Sequence, residues 1–347
     1  MTRRGIWRVI AFVLTLVVGG GLFAFIVSKQ GVDDILVSLS SFGLLPFIGF
    51  VIISLANFLF YSLRWQLIIN KHVNKKQRVP LRKVYMHRMA GFAMSYLTPA
   101  AQVGGEPVRI AMLSSEEEVS LKQSTSSVIL DIAFELSAYI VFILAGVGLA
   151  VFEGLGDGNS FLIITIGLGA ALLILLIFFA AIARGKGFFV HVFRIFRLNK
   201  MKPMKKFEKS LVDTEKMMKQ FLLKNPRLVF TVSLLSLLVI SFRVVEVFYI
   251  SYFFGVDLNF AQAFLMSTLP GVALVLPIPA GLGVFEGSFA TLFTLLAIPL
   301  NAVAFALVIR SRDLVFIFLG LIHMLLRGKA FIEKKILKPV IEGGRRL

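Results

Sequence analysis

The sequence predicts an all-α polytopic integral membrane protein with about six full spans and two re-entrant broken hairpins in inverted repeats. Of its 347 residues, 58% are hydrophobic, and the mean hydropathy is +0.88. Soluble domains rarely exceed about half apolar residues. Several apolar runs reach the roughly 20 residues that a helix needs to cross a bilayer. We expect a single domain over 1–347, with pseudo-repeat halves at about 42–152 and 228–326.

The first apolar runs and the charged residues beside them predict where the first two membrane spans lie. Val9 to Val27 can span a bilayer and has no cleavage site after it, so we expect an uncleaved anchor. Gly19 to Gly21 should let a neighbouring helix approach it closely. A loop is expected over 28–41, followed by a second span from Phe42 to Leu63. Eight Lys and Arg residues, with no acid among them, cover 64–88, and the positive-inside rule predicts that this stretch is cytoplasmic.

Further apolar runs follow along the chain, and those beside two helix-breaking motifs are short. Each of the longer runs can form a span. The expected runs are Tyr85–Thr98, Ser126–Phe152, Phe161–Ala183, Leu228–Phe254, Phe260–Leu276, Gly287–Ile298 and Asn301–Leu326.

The helix-breaking motif occurs at Pro99–Glu106 and again at Pro279–Glu286. Each copy begins with Pro-Ala, continues through a Gly-containing turn and ends in Glu. Pro and Gly interrupt helices, and backbone freed inside a bilayer must be covered by protein or line a wet cavity. Two broken segments in corresponding halves therefore point to a transporter-like binding site. The backbone is expected to break at Pro99, Gly104, Gly105, Pro279, Gly281 and Gly283.

The residues around the two motifs also correspond. Arg64 lies 35 positions before the first Pro, and Arg243 lies 36 before the second. Asp131 lies 25 positions after the first Glu, and Asp313 lies 27 after the second. Each half thus contains a span with Arg, a broken hairpin with Glu and a span with Asp.

The distribution of basic residues predicts the topology. Of the 37 Lys and Arg residues, 31 lie at the N-terminus, in 64–88, in 184–227 and in the tail from Arg327. All four segments can be cytoplasmic only if the broken regions enter and return, the first from the cytoplasm and the second from outside. Both termini are then cytoplasmic. Eight spans remain the alternative, because 284–298 is apolar enough to cross alone.

The longest polar segment is 184–227, with 13 Lys and Arg against three acids. Phe207, Leu211, Met218 and Phe221 recur in it at helical spacing. This pattern predicts a cytoplasmic amphipathic helix that either lies on the anionic inner leaflet or packs on the spans.

Ionisable residues in the apolar runs are the candidates for function, because each costs about 2.5–3.5 kcal/mol at mid-membrane. Arginine suits phosphate, since its planar fork bonds two oxygens. A cavity with such groups would admit a charged headgroup while acyl tails stay in lipid. The candidate binding and translocation residues are Glu106, Arg109, Asp131, Glu135, Arg243, Glu246, Glu286, Arg310 and Asp313.

Helical spacing predicts some of their partners. Arg243 and Glu246 are three positions apart, as are Arg310 and Asp313, so each of these two pairs is expected to neutralise itself in part. The glutamates of the two broken motifs have no obvious local partner and are expected to be unpaired.

Composition and motifs exclude several classes of chemistry. The absence of cysteine excludes disulfides, thiolate metal sites and cysteine nucleophiles. The sequence has no G-x-S-x-G, H-E-x-x-H or P-loop motif. It therefore predicts no catalytic residue, no metal and no cofactor. The histidines lack a metal-binding spacing and are His72, His87, His191 and His323.

The run from Gly104 to Arg109, the span with Asp131 and the second motif resemble the lysylphosphatidylglycerol synthase transmembrane region, also called flippase-like or UPF0104. That family includes the membrane half of the multiple peptide resistance factor, in which a membrane region is implicated in moving aminoacylated lipid to the outer leaflet. The resemblance covers nearly the whole chain. The positions that it matches are Glu106, Arg109, Asp131, Pro279, Gly281, Gly283 and Glu286.

These observations favour a lipid translocase of the bacterial cytoplasmic membrane. Its expected substrate is a phospholipid such as aminoacylated phosphatidylglycerol, or another lipid-linked molecule. Two alternatives stay open. The family name suggests phosphatidylglycerol lysyltransferase activity, although the sequence ends at Leu347 without the soluble synthase domain of two-part members. The chain is alternatively a non-transporting partner of a lipid-modifying or cell-wall enzyme. An oligomer is conceivable, and nucleic acid is not expected despite the net charge of +18.

Overall fold

A computed structural model describes residues 3–98, 104–117, 119–154, 158–195, 205–272, 276 and 278–332. In these ranges the chain is helical and forms no strand. The helices are α1 (Arg3–Gln30), α2 (Val32–Phe42), α3 (Leu44–His72), α4 (Leu81–Leu97), α5 (Glu106–Glu116), α6 (Leu121–Phe152), α7 (Gly158–Arg184), α8 (Phe188–Ile195), α9 (Lys205–Lys224), α10 (Pro226–Phe253), α11 (Phe260–Val272), α12 (Val284–Leu295) and α13 (Ala302–Ile332).

Four helices of the described chain are long and apolar enough to cross a membrane. They are α3, α6, α10 and the part of α7 from Thr165 to Arg184. At 1.5 Å per residue, the 28 residues of α1 and the 31 of α13 are also long enough. The predicted all-α polytopic fold is confirmed, and the chain is embedded in a membrane. The number of crossings and their orientation stay predictions.

The prediction of a loop over 28–41 is wrong, because most of this segment is helical. Helix α1 continues to Gln30, and after Gly31, which has φ +78°, the chain resumes as α2. Apolar residues at helical spacing explain this second helix, since Ile35 and Phe42 are buried and α2 packs on α13. The sequence argument weighed the charges of this segment and overlooked its apolar period.

Helices from the two halves of the chain pack on one another in reciprocal pairs. Helix α3 lies against α10, α4 lies against α13, and α11 lies against α6. The pair α4 and α13 approaches closely at Gly320, where a Cβ atom would collide with the Met89 carbonyl oxygen and the Ala93 Cβ. This close approach brings the α4 side chains within reach of the charges on α13.

The basic segment 184–227 contains the helices α8 and α9. Met218 and Phe221 of α9 are buried against α6 and α7 in an apolar cluster that also includes Phe134. Glu215 accepts hydrogen bonds from the Phe189 and Val190 amides at the start of α8, and its burial raises the pKa of this carboxyl despite those bonds. Two residues of the predicted apolar stripe of α9 are thus covered by protein, and Leu211 is half-buried. Phe207 lies outside the residues whose side chains are described.

The second motif packs against α1. Added Cβ atoms at Gly19 and at Gly283 would each meet atoms of the other segment, at 2.8 Å from the Ile278 side chain and at 2.6 Å from the Gly19 carbonyl oxygen, respectively. The expected close approach is therefore found at Gly19. It is wrong for Gly20 and Gly21, where an added Cβ atom would meet no atom within 4 Å in the described chain.

Candidate functional site

Asp131 is the centre of the first group of buried charges. Its carboxylate is fully buried and accepts a hydrogen bond from each of three guanidinium groups. Arg64 Nε lies 2.8 Å from Oδ1 and Arg109 Nη2 lies 2.6 Å from Oδ2, where Arg88 Nη2 also donates. The three arginines come from α3, α4 and α5, so this one carboxylate joins four helices.

Two further carboxylates complete this group. Arg64 Nη2 donates to Glu135 Oε2 at 2.8 Å, and Arg109 Nη1 donates to Glu106 Oε2 at 2.7 Å. Glu106 is therefore ion-paired, and the expectation that it would be unpaired is wrong. Its partner lies three positions later on the same helical turn. We call the six residues Arg64, Arg88, Glu106, Arg109, Asp131 and Glu135 the first charge cluster; its formal charges sum to zero.

Aromatic rings cover the first charge cluster. The Arg109 guanidinium lies 4.0 Å from the Trp65 ring centroid, and Arg64 and Arg88 lie 5.1 and 5.2 Å from that of Tyr61. Such cation–π contacts strengthen when water is excluded. The cluster is thus closed by both ion pairs and aromatic packing.

The first broken motif brings Arg109 to Asp131. Pro99 lies outside the described residues. Gly105 ends the break, and its amide donates to Ser95 Oγ at 3.0 Å, while α5 begins at Glu106. A Cβ atom on Gly105 would collide with the Gly91 carbonyl, and one on Gly104 would collide with the Thr98 side chain. Only glycine lets α4 and α5 pack this closely.

We therefore expect Gly105→Ala to destabilise the protein by about 1–3 kcal/mol, the usual cost of overpacking. The measurement is the thermal midpoint in detergent, followed by size-exclusion chromatography after heating. Gly148→Ala is the matched control, because a Cβ there has no neighbour within 4 Å in the described chain and alanine favours α6. Equal midpoints for the two variants would contradict the prediction.

The second broken motif is organised by Glu286. Glu286 Oε2 accepts from the Gly283 amide at 2.8 Å and so caps α12, whereas Oε1 accepts from Arg310 Nε at 2.8 Å. The expectation of an unpaired carboxylate is wrong here too. The break itself is a 3-10 turn over Pro279–Gly281 with positive φ at Ala280 and at Gly281.

Arg310 binds this broken backbone directly. Its guanidinium donates to the carbonyl oxygens of Ala280 and Gly281, the latter at 3.2 Å, and to the Tyr96 hydroxyl at 2.5 Å. Tyr96 in turn donates to Asp313 Oδ2 at 2.7 Å. A side chain of the first hairpin therefore connects the Arg310 and Asp313 side chains of α13.

Arg312 pairs with the remaining two carboxylates. Its Nη1 lies 3.2 Å from Glu246 Oε2, and its Nε lies 2.9 Å from Asp313 Oδ1. The predicted pairs Arg243–Glu246 and Arg310–Asp313 are wrong. Glu246 and Asp313 both form their ion pairs with Arg312, and Arg310 forms its ion pair with Glu286. We call Glu246, Glu286, Arg310, Arg312 and Asp313 the second charge cluster.

A cavity of about 100 Å³ adjoins the second charge cluster. It is large enough for several water molecules or for one phosphate-sized group. Its polar lining residues are Tyr96, Arg243, Glu246, Ser267, Arg312 and Asp313, and its apolar lining includes Phe50, Phe92, Phe285 and Phe289. The cavity is therefore amphipathic and lies between residues of both halves.

Arg243 is the cavity's cation without an acidic partner. Its Nη2 donates to the Tyr61 hydroxyl at 3.2 Å, and its guanidinium lies 5.1 Å from the Tyr139 ring centroid. No carboxylate of the described residues lies within 4.0 Å of it. By contrast Arg64, its counterpart in the first half, pairs with two.

The wall of the cavity also contains interrupted helix. Pro270 lies inside α11, and its ring has no N–H to donate to the Met266 carbonyl four residues earlier. Both residues line the cavity. Freed backbone in a membrane is tolerated where it faces a wet space, so this wall fits a polar occupant.

Sequence reasoning missed several members of the site. Arg88 was grouped with the basic stretch, yet it is buried against Asp131, and the small residues Ala90 and Gly91 beside it are the signal that α4 packs closely. Tyr61 and Tyr96 carried no signal, since single tyrosines in apolar runs are common. The structure brings Glu106, Arg109, Asp131 and Glu135 together in one cluster, and it brings Glu246, Glu286, Arg310 and Asp313 together in the other.

Comparisons with known proteins match the chain to a transmembrane region and to a membrane protein. A family model described as the lysylphosphatidylglycerol synthase TM region matches residues 12–320, which include both charge clusters and the cavity. A UPF0104 membrane protein of Methanothermobacter thermautotrophicus is 26% identical over 244 residues, or 65% of this chain and 68% of that protein. No solved structure matches the chain.

Proposed function

Because the chain belongs to the lysylphosphatidylglycerol synthase transmembrane family, as its two motifs predict, we propose that it is a lipid translocase. It moves a phospholipid such as aminoacylated phosphatidylglycerol between the leaflets of the bacterial cytoplasmic membrane. The headgroup enters the cavity beside the second charge cluster, and the acyl tails stay in lipid.

The observation that carries this proposal is the unpaired Arg243 in the cavity. A guanidinium without a carboxylate partner binds a phosphate through two parallel hydrogen bonds. The Tyr61 hydroxyl and the Tyr139 ring hold it in place without neutralising it. The same cavity is lined by Glu246 and Asp313. Both carboxylates pair with Arg312, and their remaining oxygen atoms suit the ammonium groups of an aminoacylated headgroup.

The reciprocal packing of the halves supports the proposal. Helix α4 lies on α13 and α11 lies on α6, so each half places the first helix of its hairpin on the last span of the other. Such an exchange is what a twofold pseudo-axis between the halves would produce, and transporters built from two such repeats bind substrate at the interface between them. Rocking one half against the other would expose the cavity to alternate leaflets.

The test is transbilayer lipid movement in proteoliposomes. Fluorescent phosphatidylglycerol and fluorescent lysyl-phosphatidylglycerol are each incorporated, and their movement is compared with that in protein-free vesicles. We expect purified protein to accelerate the movement of at least one of these lipids. No acceleration of either lipid by protein that elutes as a single folded species would contradict the proposal.

A further inference from the structure

A third group of ionisable side chains lies outside both charge clusters and the cavity. His87 of α4 and the consecutive residues Glu116 and Glu117 at the end of α5 bring one nitrogen and two carboxylate oxygens within 4.8 Å of one another. His87 is fully buried, and its Nε2 lies 3.3 Å from Glu117 Oε1. Helical spacing gave no hint of this group, because His87 and Glu117 are 30 positions apart.

The two carboxylates are neutralised by exposed, flexible side chains. Lys83 Nζ lies 2.7 Å from Glu117 Oε2, and its side chain is 41% exposed. Arg327 Nε lies 3.4 Å from Glu116 Oε2, and its side chain is 42% exposed. Glu116 Oε2 is itself buried and has no hydrogen-bond partner. A divalent cation would supply the same two positive charges at closer range, and both long side chains could move into solvent.

A second histidine supports the first. His323 of α13 is buried, and its Nε2 lies 3.5 Å from His87 Nδ1. Histidine ligands of metals donate their other ring N–H to an acceptor, which fixes the tautomer. With Nε2 on a metal, His87 Nδ1–H would donate to His323 Nε2, so the acceptor that such a ligand needs is already in place.

We propose that His87, Glu116 and Glu117 bind one divalent cation of the Zn²⁺ or Mn²⁺ type. In tetrahedral geometry, two ligands at roughly 2.0–2.2 Å from one ion lie about 3.3–3.6 Å apart, so ligand atoms that now lie within 4.8 Å of one another need to close by at most about 1.5 Å. Imidazole with carboxylates favours these ions over Ca²⁺ and Mg²⁺, which prefer oxygen ligands. The ion would tie the end of α5 to α4 and, through His323, to α13.

The first experiment measures Mn²⁺ binding to tag-free, metal-stripped protein by electron paramagnetic resonance. We expect one saturable Mn²⁺ per chain, displaced by Zn²⁺, with nitrogen modulation from a histidine in the pulsed spectrum. The modulation should disappear in His87→Gln and persist in His191→Gln, whose histidine is exposed on α8. Absence of saturable binding, or modulation that survives in His87→Gln, would overturn the proposal.

A second variant keeps the test independent of folding, because His87 is buried and its replacement can disturb the packing. Lys83→Met removes the cation that competes for Glu117, so we expect Mn²⁺ to bind severalfold more tightly. Glu117→Gln should weaken binding by at least tenfold, whereas Glu153→Gln, on an exposed helix end, should leave it unchanged. Unaltered affinity in both Lys83→Met and Glu117→Gln would show that the ion binds elsewhere.

Discussion

Replacing Asp131 with asparagine is expected to lower the stability of the protein more than any other single change considered. The carboxylate is fully buried and accepts hydrogen bonds from Arg64, Arg88 and Arg109. Asparagine keeps the size and removes the charge, which leaves three guanidinium groups with two carboxylates. Breaking a buried ion pair in this way costs about 3–5 kcal/mol, so the thermal midpoint in detergent should fall by on the order of 10 °C.

Two further variants make this result specific. Asp33→Asn changes an exposed aspartate of α2 and should leave the midpoint within about 1 °C of wild type, since exposed charges contribute little. Adding Arg88→Met to Asp131→Asn removes one of the stranded cations, one whose Nε has no hydrogen-bond partner. The double variant should recover part of the lost stability. A midpoint for Asp131→Asn equal to that of Asp33→Asn would show that the first charge cluster does not stabilise the fold.

The long apolar spans could be predicted from the sequence, because length and hydropathy decide whether a helix crosses a bilayer. Helices α3, α6 and α10 begin and end within a few residues of their expected positions, apart from extensions such as that of α3 to His72. Both motifs also break the helix where glycine occurs. Helix α2 was missed because its charged first turn obscured a short apolar period.

The partners of the charges could not be predicted in the same way. Among the candidate binding residues, three pairs of opposite charge are three positions apart, and in the described part of the chain only one of them, Glu106–Arg109, forms an ion pair. Such a helical pair contributes about 0.2–0.5 kcal/mol, which is less than a buried contact between helices. Arg310 therefore reaches across to Glu286 on α12, and Arg312 takes Glu246. These ion pairs depend on how α10, α12 and α13 pack against one another. The spacing of residues along the chain gives no information about that packing.

The same packing makes two arginines that correspond in sequence differ in role. Arg64 is fully buried and has two carboxylate partners, so its role is to hold helices together. Arg243 has no carboxylate within 4.0 Å among the described residues; it contacts the Tyr61 hydroxyl and the Tyr139 ring, and it lines the cavity. The arginine of the first half is thus closed in by ion pairs, whereas the arginine of the second half lines a cavity between the two halves.

Arg243→Gln is accordingly expected to abolish most lipid movement while leaving the fold intact. Loss of a charge-assisted hydrogen bond to the headgroup phosphate costs about 1.5–3 kcal/mol, which lowers the rate by tenfold or more if that contact is made during translocation. Stability should change little, because no carboxylate of the described residues loses its partner. The measurement is movement of fluorescent lysyl-phosphatidylglycerol in proteoliposomes, alongside the thermal midpoint.

The control is Arg227→Gln, which makes the same substitution at the exposed start of the same helix, α10. It should leave both lipid movement and stability unchanged. Arg312→Gln should give the opposite pattern from Arg243→Gln, with a large loss of stability, because it strands Glu246 and Asp313. Arg243→Lys should retain part of the movement, since lysine keeps the charge without the planar fork. Full movement in Arg243→Gln would place the headgroup elsewhere and leave the unpaired guanidinium without a role in transport.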